Sequence, residues 1–278
     1  MRVSHNIASL NIYTSYKSAL AAQSKAMSRV SSGRRVNQAS DDPYADAKDV
    51  AFTMQSKGLQ MANTNAQDGI SLLQTAEGGL SGINSMLDRI KTLATQAGNG
   101  TQSPEDKAAS QLEVNTLVQG INNLAKSTNI NGVNMIAADP SNDLNAVIGA
   151  SGEKISMPTY NFTTDNSATS LLYSLSSIDV TTAGGYKVAM DAADAGMDQI
   201  NTALSKYGAL ENRFTSTIDT IGTLGSETED GDSAAVDADV AAEMLNYSRS
   251  SIIVQAGIAM MTQTNKMPQD VLKILSNV

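Results

Sequence analysis

The sequence predicts a mainly α protein, a long antiparallel coiled-coil helical bundle with a small β-hairpin region. Apolar residues recur at alternating steps of three and four over long stretches, which is the heptad pattern of packed helices. Bulky aromatic residues are scarce, with 3 Phe, 8 Tyr and no Trp among 278 residues, so we expect thin helical seams in place of a bulky aromatic core. Turn-forming residue pairs are concentrated in one internal segment.

Both terminal segments carry an apolar stripe at helical spacing. A single stripe on an isolated helix cannot offset the conformational entropy lost on folding, so each segment needs either the other segment or a neighbouring molecule. The stripe positions are Val3, Ile7, Leu10, Tyr13, Tyr16, Leu20, Met27 and Val30 in the first segment, and Val240, Met244, Tyr247, Ser251, Val254, Ile258 and Met261 in the last.

Residues 31–50, SSGRRVNQASDDPYADAKDV, interrupt two helical stretches. Gly33 can adopt the backbone conformation that ends a helix. Asp42 followed by Pro43 is typical of an N-cap and a first helical turn. The segment is therefore predicted to connect two helical parts of the protein.

Three central segments show heptad registers. The first runs over residues 59–97 without a proline, which predicts a helix about 58 Å long. The second runs over residues 190–221 and has one charged position in its apolar seam. The third is shorter, over residues 114–124, and its helix is expected to begin at Ser103 with Pro104 in the first turn. Three seams predict a helical bundle or coiled coil.

The segment from residue 129 to about 175 differs in character. It contains Asn-Gly, Asp-Pro, Ser-Gly and Met-Pro pairs around short alternating runs. Such turn-forming pairs predict turns and a small β-hairpin, within about residues 130–180.

The acid-rich run SETEDGDSAAVDAD, residues 226–239, suggests a calcium loop, but its spacing is wrong for an EF-hand. With Gly231 at the sixth position, Ser226 would be first and Asp237 would stand where the loop needs Glu. We expect a solvated loop with acids near the start of the final helix.

Charge and composition exclude several classes of protein. The net charge of −9 and the isoelectric point near 4.6 oppose nucleic acid or an anionic membrane as the main partner. No apolar run is long enough to span a bilayer, and the first residues do not form a secretory signal peptide, so any export is expected to use another route. His5 is the only histidine and cysteine is absent. The sequence therefore has almost none of the side chains that catalytic triads and zinc sites require. We expect neither an enzyme nor a cofactor.

Several segments then point to one family. Residues 83–101, 129–136, 209–221 and 241–275, together with the serine-serine-glycine to aspartate-aspartate block of residues 31–42, resemble recurring segments of bacterial flagellin. The matches cover both ends and most of the chain, in the family's order. Only about thirty residues separate Ile155 from the returning helix, which indicates a minimal flagellin without large variable outer domains.

The resemblance implies the D0 and D1 layers of flagellins. It places residues 1–34 and 235–278 in an inner layer, residues 35–50 in a spoke linker, and residues 51–234 in a central helical layer. The implied function is that of a structural subunit that polymerises through its terminal helices into the flagellar filament for swimming motility. The alternatives are a flagellar hook-filament junction protein and an unrelated coiled-coil structural protein.

The resemblance also implies a route and partners. The route is flagellar type III export, without a cleaved signal, to the extracellular flagellum, and the partners are further copies of the chain, a flagellar export chaperone and the cap protein. Arg89, Leu93 and Glu113 match positions that Toll-like receptor 5 recognises in some flagellins, or else they form polar contacts between subunits. The positions predicted to pack during self-assembly are Ile7, Leu10, Leu20, Val254, Ile258, Met261, Leu272 and Leu275.

Overall fold

The computed structural model describes residues 6–165 and 170–276, apart from the side chains of 271, 272 and 274–276. In this part of the chain, no helix is long and apolar enough to cross a membrane. The α-helices are α1 (Ile7–Ser32), α2 (Pro43–Ala97), α3 (Pro104–Ser127), α4 (Gly185–Val236) and α5 (Val240–Ser276); the strands are β1 (Leu144–Val147) and β2 (Lys154–Met157), and a 3-10 helix spans Tyr173–Ser177.

The predicted helix ends are confirmed at the connector. Helix α1 ends at Gly33, whose φ of 71° lies in the left-handed region that favours glycine. Helix α2 begins at Pro43, and the Asp42 carboxylate accepts hydrogen bonds from the backbone amides of Tyr44 (3.2 Å) and Ala45 (3.1 Å). A helix stop and a new N-cap therefore separate α1 from α2.

The start of α3 is also as predicted. Ser103 is the N-cap, and its hydroxyl accepts a hydrogen bond from the Asp106 amide at 3.2 Å. The Asp106 carboxylate in turn accepts from the Ser103 amide at 3.3 Å, which completes a capping box.

The acid-rich run is not a loop, and that prediction is wrong. Residues 226–236 continue α4, and the break between α4 and α5 is confined to residues 237–239. The helix persists because one of its faces is covered: Phe52 lies against Gly231, and Val236 is buried. Most of the acids point to solvent, and Asp239 caps α5 by accepting from the amides of Ala241 and Ala242.

Residues 56–226 form one compact unit around a helical core. Every heptad position predicted in α2 is buried. Helix α4 runs antiparallel to α2, since Phe214 packs on Gly69 and Leu87 packs on Gly196. A side chain at Gly69 would place Cβ 3.0 Å from the Phe214 ring, so the close approach requires glycine there. The buried α2 positions are Leu59, Ala62, Ala66, Gly69, Leu73, Ala76, Leu80, Ile83, Leu87, Ile90, Ala94 and Ala97.

The β-hairpin is confirmed within the predicted segment. Strands β1 and β2 pair antiparallel, with Leu144 opposite Met157 and Val147 opposite Lys154. Ile155 and Met157 point into the same core as α2 and α4, so one face of the hairpin is buried.

The second compact unit combines the part of the chain up to residue 55 with the part from residue 227 onward. Helices α1 and α5 pair within it. At the base of this pair, the Arg35 amide donates to the Val236 carbonyl at 2.7 Å and the Ala238 amide donates to the Gly33 carbonyl at 2.9 Å. We call residues 33–36 and 235–238 the strap.

Candidate interaction site on the terminal helices

Helices α1 and α5 lie antiparallel along a narrow seam. Arg29 Nη1 pairs with Glu243 Oε1 at 2.9 Å near one end, and Asn6 Nδ2 donates to the Thr264 carbonyl at 3.1 Å near the other. Between them, Gly257 faces Tyr16, and a Cβ at position 257 would lie 3.5 Å from the Tyr16 side chain. At alternating steps of three and four, the less exposed positions along the seam include Ser9, Ile12, Tyr16, Ala19, Gln23 and Ala26 on α1, and Glu243, Tyr247, Ser250, Val254, Gly257, Met261 and Thr264 on α5.

The seam contains mostly small and polar residues, whereas large apolar side chains point away from it. Two sets of outward residues recur at steps of seven, so each set lies along one face of its helix. The exposed fractions of these six side chains range between 44% and 58%. We call Tyr13, Leu20 and Met27 the α1 stripe, and Ile253, Met260 and Met267 the α5 stripe.

The residues predicted to pack during self-assembly lie in two environments, the exposed outer faces of the helices and the seam between them. Ile7, Leu10, Leu20 and Ile258 are exposed. Val254 and Met261 are partly buried in the seam register. Val3 and the side chains of Leu272 and Leu275 lie outside the described part of the chain.

Sequence reasoning missed the α5 stripe. Counting in heptads from Val240 follows Val254 and Met261 but leaves out Ile253 and Met260, because Ile252, Ile253 and Val254 are consecutive apolar residues that fit more than one register. A count in sevens from Ile253 reaches both Met260 and Met267, and this signal could have identified the stripe.

Next to the strap, two acids on neighbouring helices face each other. Asp49 on α2 forms an ion pair with Arg34, and Asp232 on α4 lies beside Asp49. Burial raises the pKa of Asp232, and the negative charges of Asp49 and Asp237 raise it further, against the opposing effect of Arg34. Within residues 31–50, which connect α1 to α2, Asp41 pairs with Lys25 of α1. Lys25 Nζ lies 2.7 Å from Asp41 Oδ1, and this interaction lowers the pKa of Asp41.

Arg89, Leu93 and Glu113 do not share one exposed surface. Arg89 Nε and Glu113 Oε1 lie 2.7 Å apart, and both side chains are about half exposed. This pairing raises the pKa of Arg89 above its ordinary value. Leu93 is only 2% exposed and belongs to the core of residues 56–226, so it supports α2 from inside.

In the described ranges, no three His, Cys, Asp or Glu side chains come together as metal ligands. The feature that distinguishes the terminal helices is a set of large apolar side chains that stay about half exposed in the described part of the chain. An antiparallel helix pair with a mostly small and polar seam, and with large apolar residues outside it, is typical of a structural subunit that associates with other protein surfaces.

Comparison with known proteins agrees with this class. The chain matches the bacterial flagellin N-terminal helical region over residues 3–140 and the bacterial flagellin C-terminal helical region over residues 190–275. It is 34% identical to flagellin of Bacillus subtilis strain 168, over 99% of this chain and 100% of that protein. It is 31% identical to the flagellar filament 31.3 kDa core protein of Treponema maltophilum, over 91% of this chain and 92% of that protein.

The fold also resembles a solved structure of a flagellar hook-associated protein from Vibrio parahaemolyticus, with a TM-score of 0.60 at 12% identity, over 71% of this chain and all of that chain. At that identity the likeness concerns the fold alone. The chain belongs to the bacterial flagellin family, a family of structural proteins, and is a filament subunit. The hook-filament junction protein and the unrelated coiled-coil protein are not favoured.

Proposed function

We propose that the subunits polymerise by burying the α1 and α5 stripes, together with Ile7, Leu10 and Ile258, against neighbouring copies of the chain. The observation that carries the proposal is the arrangement of the terminal pair: most of the seam residues are small or polar, and the large apolar residues of the two stripes are left about half exposed. Because burial of apolar surface drives association, these faces favour contact with another molecule.

The contacts are heterologous, with one surface of a subunit meeting a different surface of the next. Such contacts produce an open helical polymer when the rotation between subunits does not close into a ring. The α1 and α5 stripes lie on different helices and have different side chains, which suits a contact between unlike surfaces.

The expected driving force is moderate. Complete burial of a large apolar side chain is worth about 1.5–3 kcal/mol, so burying the exposed half contributes about 1 kcal/mol for each stripe residue. Six residues give about 6 kcal/mol per subunit, which is comparable to the cost of association, about 4–15 kcal/mol. A subunit therefore needs several neighbours at once, as the inside of a helical filament provides.

In this proposal, residues 1–34 and 235–278 form the inner layer of the filament. Residues 35–50 are the spoke, and residues 51–234 form the surrounding layer. The predicted packing positions Leu272 and Leu275 belong to the inner layer. Its role is structural, and no catalytic step is assigned to the chain.

Deletion of residues 270–278 tests the inner-layer assignment. We expect the shortened protein to remain helical by circular dichroism and to fail to elongate filament seeds in a sedimentation assay. The full-length chain under the same conditions is the control. Undiminished elongation by the shortened protein would contradict the proposal.

The partners and the route complete the proposal. The side chains of Ile252, Ile253 and Leu245 are exposed in the free subunit. A flagellar export chaperone is the partner that would bind over them before assembly. Secretion through the flagellar type III apparatus then delivers the subunit to the cap protein and the extracellular filament. Co-purification of the full-length chain with the chaperone, compared with an Ile252→Ser and Ile253→Ser variant, tests the first of these steps.

For Arg89 and Glu113 we favour a polar contact between subunits, because the ion pair between them leaves about half of each side chain open to a neighbouring copy. Recognition by Toll-like receptor 5 is the second proposal for the same two residues, and buried Leu93 would then act through the position of α2. A receptor-reporter assay on the monomer separates them. A signal that Arg89→Ala abolishes supports recognition, whereas a silent monomer combined with slower polymerisation of Arg89→Ala supports the subunit contact.

A further inference from the structure

Methionine occupies half of the six stripe positions. Met27 lies on the α1 stripe, and Met260 and Met267 lie on the α5 stripe, with more than half of each side chain exposed. Methionine suits a contact surface because its flexible thioether adapts to the opposing side chains. The thioether is also open to chemical attack while the subunit is free.

Hydrogen peroxide oxidises an exposed thioether by transferring one oxygen atom. The sulfur donates an electron pair, an S–O bond forms and the O–O bond breaks, so that methionine becomes methionine sulfoxide and the peroxide leaves as water. The product is polar and chiral. Met135 and Met157 are buried in the core of residues 56–226 and are shielded from this reaction.

We propose that Met27, Met260 and Met267 are modification sites at which a hydroperoxide blocks polymerisation of the free subunit, and that assembly protects them. This inference rests on the proposed burial of the stripes in the filament. A sulfoxide on a stripe must lose its hydration when the stripe is covered, and an apolar neighbouring surface offers no donor to replace the lost hydrogen bonds. Oxidation of these three side chains therefore opposes assembly, and Met261 is the one oxidisable thioether among the seam positions named above.

The test compares oxidation before and after assembly of the full-length chain. Monomer is treated with hydrogen peroxide, the reagent is removed, and elongation of seeds is followed by sedimentation. In parallel, assembled filaments receive the same dose, and peptide mass mapping measures sulfoxide at each methionine. Met135 and Met157 serve as the shielded reference, and Met54 on α2, which is strongly exposed, reports the dose.

We expect oxidation of the monomer to raise the concentration of unpolymerised subunit at steady state by about tenfold or more. Enzymatic reduction of the sulfoxides should restore polymerisation. In filaments, Met27, Met260 and Met267 should be oxidised several-fold more slowly than in the monomer.

A matched variant isolates the three sites. Met27→Leu, Met260→Leu and Met267→Leu keep the stripes apolar and remove their sulfur, while Met54, Met61 and Met244 remain exposed. This triple variant should polymerise after peroxide treatment. If it is blocked as strongly as the unmodified sequence, or if the oxidised parent chain polymerises normally, the inference is wrong.

The outcomes also separate the inference from the function on which it rests. Untreated full-length chain that fails to elongate seeds would overturn the stripe proposal, and this inference with it. Untreated chain that elongates seeds, combined with equal oxidation of the stripe methionines in monomer and filament, would overturn the inference alone.

Discussion

Replacing Leu20 and Met260 together by serine is expected to weaken polymerisation far more than it weakens the folded monomer. One residue lies on each stripe, and the exposed fractions of their side chains are 44% and 58%. These exposed parts are what a neighbouring subunit would cover. Because they do not contribute to the core of the single chain, their loss should change the free energy of unfolding by only about 0.5 kcal/mol each.

The magnitude follows from the exposed fractions. About half of a full burial energy of about 1.5–3 kcal/mol is lost at each site, which gives about 2 kcal/mol for the two sites together. That energy corresponds to an increase of about 30-fold in the concentration of subunit left unpolymerised. Any unpaired hydroxyl buried in the contact would increase the effect further.

Seeded polymerisation followed by sedimentation measures this concentration, and thermal unfolding of the monomer gives the stability. Leu112→Ser is the matched control, since Leu112 is a large, exposed apolar residue on α3 and lies on neither terminal helix. A change of less than about twofold in the double variant, which is about 0.4 kcal/mol, would refute the assignment of the stripes. So would an equal effect of Leu112→Ser.

Three further predictions concern stability. The raised pKa of Asp232 means that the folded state holds a proton better than the unfolded state does. The stability that comes from this difference is present below the ordinary aspartate pKa and is lost as pH rises through the raised pKa. Asp232→Asn should remove this component of the pH dependence, as measured by thermal unfolding across the acidic range. Phe214→Ala should destabilise the protein by about 3–5 kcal/mol in denaturant unfolding, because the fully buried ring packs on Gly69 and a cavity would remain. Ser103→Ala should cost about 1 kcal/mol in the same assay through loss of the α3 cap, while Ser103→Asp should preserve most of it.

The helices of residues 56–226 could be predicted in detail because their signals are local. A heptad register in α2 identifies which side chains are buried without knowledge of the partner, and all its positions from Leu59 to Ala97 are buried. The caps at Gly33, Asp42 and Ser103 are local in the same way, since each depends on residues within one turn.

The terminal helices were harder to predict for a physical reason. Helix α5 has apolar residues on several faces, and only its antiparallel alignment with α1 decides that Val254 belongs to the seam and Ile253 does not. The acid-rich end of α4 was misjudged for a related reason: its composition resembles a loop, but packing of Phe52 on Gly231 and burial of Val236 hold it as a helix. The strap could not be foreseen, because its backbone hydrogen bonds join residues about two hundred positions apart.

The pairing of α1 with α5 has a consequence for the timing of folding. The hydrogen bond between Asn6 and Thr264 spans 258 positions, and the ion pair between Arg29 and Glu243 spans 214. At a synthesis rate of ~5–20 residues per second, α1 waits on the order of tens of seconds before its partner helix leaves the ribosome. Of the described helices, α1 is synthesised first and is thus among the last to pack against its partner, so it lacks this tertiary support for most of the time in which residues 6–276 are made.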